Sequence, residues 1–189
     1  MELYNHQKIA LGLLRMYPSY ALFMEQGCGK TIPTLIRVKE LIEKGKVTHC
    51  LVVCPKAVIG LWTRDMDKLS FSETIRSMIT VMNYEMVTRH VDEYAETTWD
   101  LIVLDEAHYI KTATSKRTQA MFRLSLNAKY RYILTGTPIA NGQVQNIWSE
   151  FCFLAPTLFR AKNGKESYIS DIWHCGYYKW LNQYAFQDQ

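Results

Sequence analysis

The run Leu101-Ile102-Val103-Leu104 has no polar residue on either face, and it ends abruptly in Asp105-Glu106-Ala107-His108. A strand that is apolar on both sides fits only where both of its faces are covered, which is the centre of a parallel sheet with helices packed on each face. Cys50-Leu51-Val52-Val53-Cys54 has the same character and is stopped by Pro55. Between and around these runs, apolar and polar stretches alternate as strand, loop and helix, the pattern of an α/β fold of three layers with a mostly parallel central sheet. In such sheets ligands bind at the carboxyl ends of the strands, where the acidic tetrad falls.

Periodicity places a helix over 3–16, with apolar positions at 9, 13 and 16 beside 3, 11 and 14, ended by Pro18. A short strand over 20–24 runs into a glycine loop, and a helix over 31–44 follows, closed by Gly45. Further expectations are a helix over 57–69, a strand over 77–82, a strand over 99–104, a helix over 115–126, a strand over 130–134 and a helix over 144–153. Beyond Pro156 the pattern weakens to a turn at Asn163-Gly164-Lys165 and an aromatic tail over 173–186 with no evident packing partner.

The loop Gln26-Gly27-Cys28-Gly29-Lys30-Thr31 lies between that strand and helix. Glycines there free backbone N–H groups to form a concave nest, and the helix N-terminus adds partial positive charge, so the site suits phosphate. Lys30 can reach the β and γ phosphates, and the Thr31 hydroxyl is a hard oxygen ligand for magnesium. The strict Gly-x-x-x-x-Gly-Lys-Ser/Thr pattern is not met, because Met24 stands at the first glycine position. Asp105 and Glu106 supply the complementary pair, one carboxylate for the metal and one to orient and deprotonate an attacking water. The expected ligand is ATP with Mg2+, held by Gln26, Gly27, Cys28, Gly29, Lys30 and Thr31. Thr31 and Asp105 are expected at the metal, with Lys30, Asp105 and Glu106 catalytic.

These segments resemble, in order, the motifs of the superfamily 2 helicase-like motors, and within them the Snf2 (SWI2/SNF2) family of double-stranded DNA translocases. His6-Gln7 is similar to the adenine-reading Q motif, 26–31 to motif I, and Val52-Val53-Cys54-Pro55-Lys56 to motif Ia. Asn83-Tyr84-Glu85 resembles motif Ib, Asp105-Glu106-Ala107-His108 motif II, and Lys111 with Ser115-Lys116 the basic stretch after it. Leu134-Thr135-Gly136-Thr137-Pro138 resembles motif III in its Snf2 form, and Ile147-Trp148-Ser149-Glu150-Phe151 with Phe153-Leu154-Ala155-Pro156 the segment that follows. The resemblance implies a RecA-like ATP-binding lobe over 1–160. It implies that 161–189 is an extension, the start of a helical insertion or a linker to a second lobe.

By the same resemblance Gln7 reads adenine, and Lys56, Lys111 and Lys116 lie near the backbone of double-stranded DNA. Asn83, His108, Thr135, Gly136 and Thr137 contact nucleic acid or couple it to the nucleotide. Cations suit backbone contact, which carries no sequence information. Tyr4, Trp62 and Tyr84 could stack on adenine or a base, although aromatics at such spacings are more often core. A chain of 189 residues has room for one such lobe. A second RecA-like lobe, in cis or in trans, is expected to supply the arginine finger, and without it hydrolysis slows roughly a thousandfold or more.

The implied function is DNA-dependent ATP hydrolysis coupled to movement on duplex DNA. A strand-separating or branch-migrating helicase shares every motif present, and a non-catalytic ATP-dependent interaction module is a further alternative. A simple P-loop kinase leaves Leu134 to Asn141 unexplained. The proximity of Gln7 to Met1 suggests a minimal motor of bacterial or viral type. With 48% hydrophobic and 21% charged residues and no apolar run long enough for a bilayer, no membrane partner is expected. No signal peptide is evident, so the cytoplasm is the expected location, or the nucleus in a eukaryote. The net charge of +4 is compatible with a polyanion without requiring one. Five cysteines without a Cys-x-x-Cys pair argue against a disulfide framework and a zinc site, and for reduced, mostly buried thiols.

Overall fold

The computed structural model describes residues 2–139, 146–160, 166–170 and 175–184. Helix α1 (Asn5–Met16) leads to strand β1 (Ser19–Phe23), then α2 (Thr31–Glu43) and β2 (Cys50–Cys54). A 3-10 turn, Lys56–Val58, precedes α3 (Ile59–Lys68), and the short α4 (Glu73–Arg76) precedes β3 (Ile79–Asn83). Two more short helices, α5 (Tyr84–Arg89) and α6 (Val91–Glu96), lead to β4 (Leu101–Asp105) and the 3-10 turn Ala107–Ile110. There follow α7 (Lys116–Ser125), β5 (Tyr130–Thr135), α8 (Asn146–Leu154), the hairpin strands β6 (Pro156–Arg160) and β7 (Glu166–Ser170), and α9 (Tyr177–Tyr184).

Five strands form one parallel sheet in the order β1-β5-β4-β2-β3. Every residue of β2 and β4 is buried. The pleat sends Leu51, Val53, Ile102, Leu104 and Ile133 to one face, where they meet Tyr84, Phe122, Trp148 and Phe153. Cys50, Val52, Cys54, Leu101, Val103, Tyr132 and Leu134 go to the other, against Leu14, Leu35, Leu41 and Trp62. This two-sided burial is why those strands carry no polar alternation, and the RecA-like α/β expectation holds.

Other expectations shift. In α1 the buried residues are Gln7, Ala10, Leu11 and Leu14, while Ile9 and Met16 are exposed, so of the two apolar stripes only the one through 11 and 14 faces the core. The third strand runs from Ile79 to Asn83. Helices α4, α5 and α6, of 4, 6 and 6 residues, are too short to display a 3.6-residue period. Side-chain caps at Ser72 and Asn83 start the first two of them. The aromatic tail has a partner after all. Trp180 is buried and Tyr177 meets Trp148 edge-on. The turn placed at 163–165 and the start of the helix placed at 144–153 lie outside the described residues. Among the described residues no helix is long and apolar enough to cross a membrane.

The amino ends of β2, β4 and β5 are tied together by one carboxylate. Asp100 accepts hydrogen bonds from the Thr48 N–H (2.9 Å), the Thr48 hydroxyl (2.9 Å) and the Lys129 ammonium (2.9 Å). Burial works to raise its pKa but is outweighed by these donors and the His49 N–H, which hold it at about 2. Because the folded pKa lies below the ordinary aspartate value, the stabilisation is complete above that value and fades as pH falls toward about 2. Its size is on the order of 2 kcal/mol. In urea unfolding, wild type is expected to exceed Asp100→Asn in stability at neutral pH, with the gap closing near pH 2 (the folded-state value). A gap that persists in acid would mean that the carboxylate charge is not what ties the strands.

Candidate nucleotide site

The glycine loop leaves β1 at the carboxyl edge of the sheet and feeds α2. Gly29 has φ +67°, a region costly for any residue with a Cβ, and a Cβ there would stand 2.6 Å from Gln7 Nε2. That amide donates to the Gly29 carbonyl (3.1 Å), while Gln7 Oε1 accepts from the Tyr4 N–H (3.1 Å). His6 Nε2 donates to the Cys28 carbonyl (3.0 Å). The first turn of α1 therefore braces the loop from outside. Lys30 is buried, and its ammonium donates to the Met24 (2.9 Å) and Glu25 (3.1 Å) carbonyls, so the charge is held beneath the loop. Gly29→Ala combines left-handed strain with loss of the Gln7 bond, together about 2 kcal/mol. Titration with a fluorescent ATP analogue is expected to show affinity reduced about tenfold or more, with Gln7→Ala losing less. Equal affinity in Gly29→Ala and wild type would rule out this brace.

Motif III is packed against the same loop. A Cβ on Gly136 would meet the Gln26 backbone nitrogen at 3.1 Å and the Met24 carbonyl at 3.3 Å. Met24 N–H donates to the Thr135 carbonyl, and the buried Thr135 hydroxyl accepts from the Thr137 N–H (3.2 Å). Thr137 itself is exposed.

At the end of β4, Asp105 is 9% exposed, its Oδ2 accepting from Trp62 Nε1 (2.9 Å) and its Oδ1 from the Glu106 N–H (3.0 Å). Burial raises its pKa, Trp62 pulls it back, and the Glu106 charge raises it further. Glu106 has φ +51°, an uncommon and strained conformation for a non-glycine residue. Its Oε2 is buried with no hydrogen-bond partner; His108 Nδ1 lies 3.3 Å away, outside hydrogen-bond geometry. Two crowded carboxylates, one disfavoured by desolvation and one with an orphaned oxygen, are a donor set that fits a hard divalent cation.

Gln26, Gly27, Gly29, Lys30, Thr31, Asp105 and Glu106 line one cleft of about 340 Å³, with Val58, Leu61 and Trp62 as its apolar wall. The loop and the acidic pair, 74 residues apart from Thr31 to Asp105, therefore share a single site. Among the described residues no cluster of three or more His, Cys, Asp or Glu side chains forms a metal cage. Magnesium held by one or two carboxylates and substrate phosphates needs none.

The remaining expected residues lie along the same edge. Lys56 is exposed in the turn after β2. Asn83 ends β3 and caps α5 by accepting from the Met86 N–H (2.8 Å). Lys111 is exposed after the Ala107–Ile110 turn. Lys116 is exposed at the start of α7 and lines a groove of about 680 Å³ with Glu85, Thr88, Arg89, Ser115 and Arg117. Lys56 and Lys111 are not in that lining.

Two residues considered for stacking turn out to be buried. Trp62 turns its indole N–H onto Asp105, and Tyr84 donates its hydroxyl to the Asp105 carbonyl (2.8 Å). Burial, aided by Asp105 nearby, raises the Tyr84 pKa well above the ordinary value, keeping it a donor. The signal available in sequence was general: a buried Trp or Tyr must find a partner for its polar tip. Arg89 and Arg117 carried no sequence signal beyond charge.

A parallel sheet that presents a glycine loop and an acidic pair in one cleft is the arrangement of a RecA-like lobe of the helicase-like class. A family model described as SNF2-related domain matches residues 11–83 and 72–175. The chain is 33% identical over 194 aligned residues to the TATA-binding protein-associated factor mot1 of Schizosaccharomyces pombe, covering 86% of this chain and 10% of that protein. It is 28% identical to the human DNA excision repair protein ERCC-6-like, covering 80% of this chain and 14% of the relative. Among solved structures, the Sulfolobus solfataricus SWI2/SNF2 ATPase core in complex with dsDNA superposes with a TM-score of 0.72 at 29% identity, covering 82% of this chain and 36% of that one. The chain belongs to the SNF2-related family, as its N-terminal RecA-like lobe. It spans only about a tenth to a seventh of the length of these curated relatives.

Proposed function

We propose that this lobe binds Mg-ATP and drives a DNA-dependent ATPase that moves along duplex DNA. The observation that carries the reading is the single cleft bounded by the glycine loop and the acidic pair, with Gly136 of motif III seated on that loop. Lys30 and the loop N–H groups hold phosphate, Thr31 and Asp105 hold the metal, and Glu106 orients and deprotonates the water. Bound magnesium would neutralise charge on the phosphates. Gln7, with one amide hydrogen committed to Gly29, keeps the other for the adenine edge. Thr135, Gly136 and Thr137 couple the loop to the DNA side. Asn83 and His108 act there too, with Lys56, Lys111 and Lys116 against the phosphate backbone.

A second RecA-like lobe, in cis or trans, completes the site, and the lobe alone hydrolyses slowly. In this reading residues 161–189 lead on from the lobe at 1–160. The cytoplasm, or the nucleus in a eukaryote, is its place of action. The bacterial or viral type expected from sequence finds no support among the relatives above, which are eukaryotic and archaeal. The test is ATP turnover by the full gene product with and without duplex DNA. No stimulation by any nucleic acid removes the reading, and efficient strand displacement on forked substrates would favour a helicase.

A further inference from the structure

The Arg117 guanidinium lies over two rings, 5.9 Å from the centroid of Tyr84 and 5.1 Å from that of Tyr109. Those rings are stacked, centroids 5.1 Å apart with 9° between planes. On its solvent side Arg117 pairs with Glu85 at 3.0 Å, in the groove between α5 and α7 that also presents Thr88, Arg89, Ser115 and Lys116. On its inner side two routes reach the acidic pair. Tyr84, fully buried, bonds through its hydroxyl to the Asp105 carbonyl. Tyr109 touches His108, with ring centroids 5.0 Å apart, and His108 Nδ1 lies 3.3 Å from Glu106 Oε2.

We propose that Arg117 is a positioning residue that transmits occupation of this groove by the phosphate backbone of duplex DNA to Asp105 and Glu106. The proposal rests on the motor reading above and deepens it. The groove is lined by three cations, Arg89, Lys116 and Arg117, and one carboxylate, Glu85. The Arg117–Glu85 pair is open to solvent, with side chains 34% and 54% exposed, so it is weak and readily exchanged. A phosphate offers the guanidinium a bidentate, charge-assisted partner and competes well for it. Moving the guanidinium changes the cation–π contact with both rings. Close packing around Tyr84 leaves its ring little room to absorb a shift, so the hydroxyl carries it to the Asp105 backbone. The same carbonyl ends the strand that presents both carboxylates.

The test is ATP turnover by the full gene product from zero to saturating blunt duplex. Arg117→Gln is expected to lower the ratio of saturated to DNA-free turnover at least about fivefold. Lys116→Gln, which removes a groove cation outside the aromatic stack, should need more duplex yet reach the wild-type ratio at saturation. Tyr84→Phe keeps the stacking and deletes the hydroxyl, and should lower the ratio as well. The double variant Arg117→Gln/Tyr84→Phe should fall no further than Arg117→Gln alone, the non-additivity of two members of one path. A wild-type ratio in Arg117→Gln, or full additivity with Tyr84→Phe, would overturn the relay while leaving the motor reading intact. A wild type that no duplex stimulates would instead remove the motor reading, and the relay with it.

Discussion

Glu106→Gln is expected to abolish nearly all DNA-stimulated ATP turnover, lowering kcat by about 10²–10⁴-fold with little change in KM. The substitution preserves the length of the side chain and its place beside His108, and removes the negative charge and with it the capacity to take a proton. Glu106 is suited to that task by what surrounds it: a left-handed backbone that turns the residue back toward the cleft, and an oxygen buried without a hydrogen-bond partner. Evolution seldom tolerates strain and an unsatisfied oxygen in one residue unless the site uses them. Steady-state turnover alongside nucleotide-binding titration checks the claim. A kcat within tenfold of wild type, with binding intact, would transfer the role of base to another group.

Trp62→Phe is expected to raise the magnesium concentration for half-maximal turnover about 10- to 100-fold. The indole N–H fixes Asp105 Oδ2 at 2.9 Å, and phenylalanine retains most of the apolar wall while deleting that donor. Freed of the bond, the carboxylate can rotate away from the cleft, and its burial is then offset only by the Glu106 N–H and the Lys30 charge. Some loss of thermal stability should accompany the change, since Trp62 is almost fully buried. Saturating magnesium separates the two effects. It restores turnover if Trp62 acts through Asp105, and fails to restore it if the fold has been lost. An unchanged magnesium dependence would leave Trp62 a packing residue.

These two residues mark where sequence reading stopped. Glu106 stood out in the sequence because an apolar strand and an aspartate immediately precede it, and a glycine loop upstream supplies the complementary motif. Trp62 was legible only as an aromatic among many, because its contact spans 43 residues and depends on the depth to which α3 packs on the sheet. Tyr84 is a similar case at a separation of 21 residues. The brace of Gln7 on Gly29 was missed for another reason. The resemblance directed that side chain toward a base and gave no sign that its carboxamide also holds the loop and the start of its own helix.

The sequence by itself determined the central sheet, the order of its apolar strands along the chain, the phosphate loop and the acidic pair. Each of these is written in local pattern: two-sided apolarity for a strand covered on both faces, glycines where φ must be positive, carboxylates at a strand end. Only the tertiary structure decided that β1 lies beside β5, which brings Gly136 onto the loop, and that the indole of Trp62 and the phenol of Tyr84 meet Asp105. Those contacts follow from which side chain fills which space once helices settle on the sheet, and close packing settles that among residues far apart in the chain.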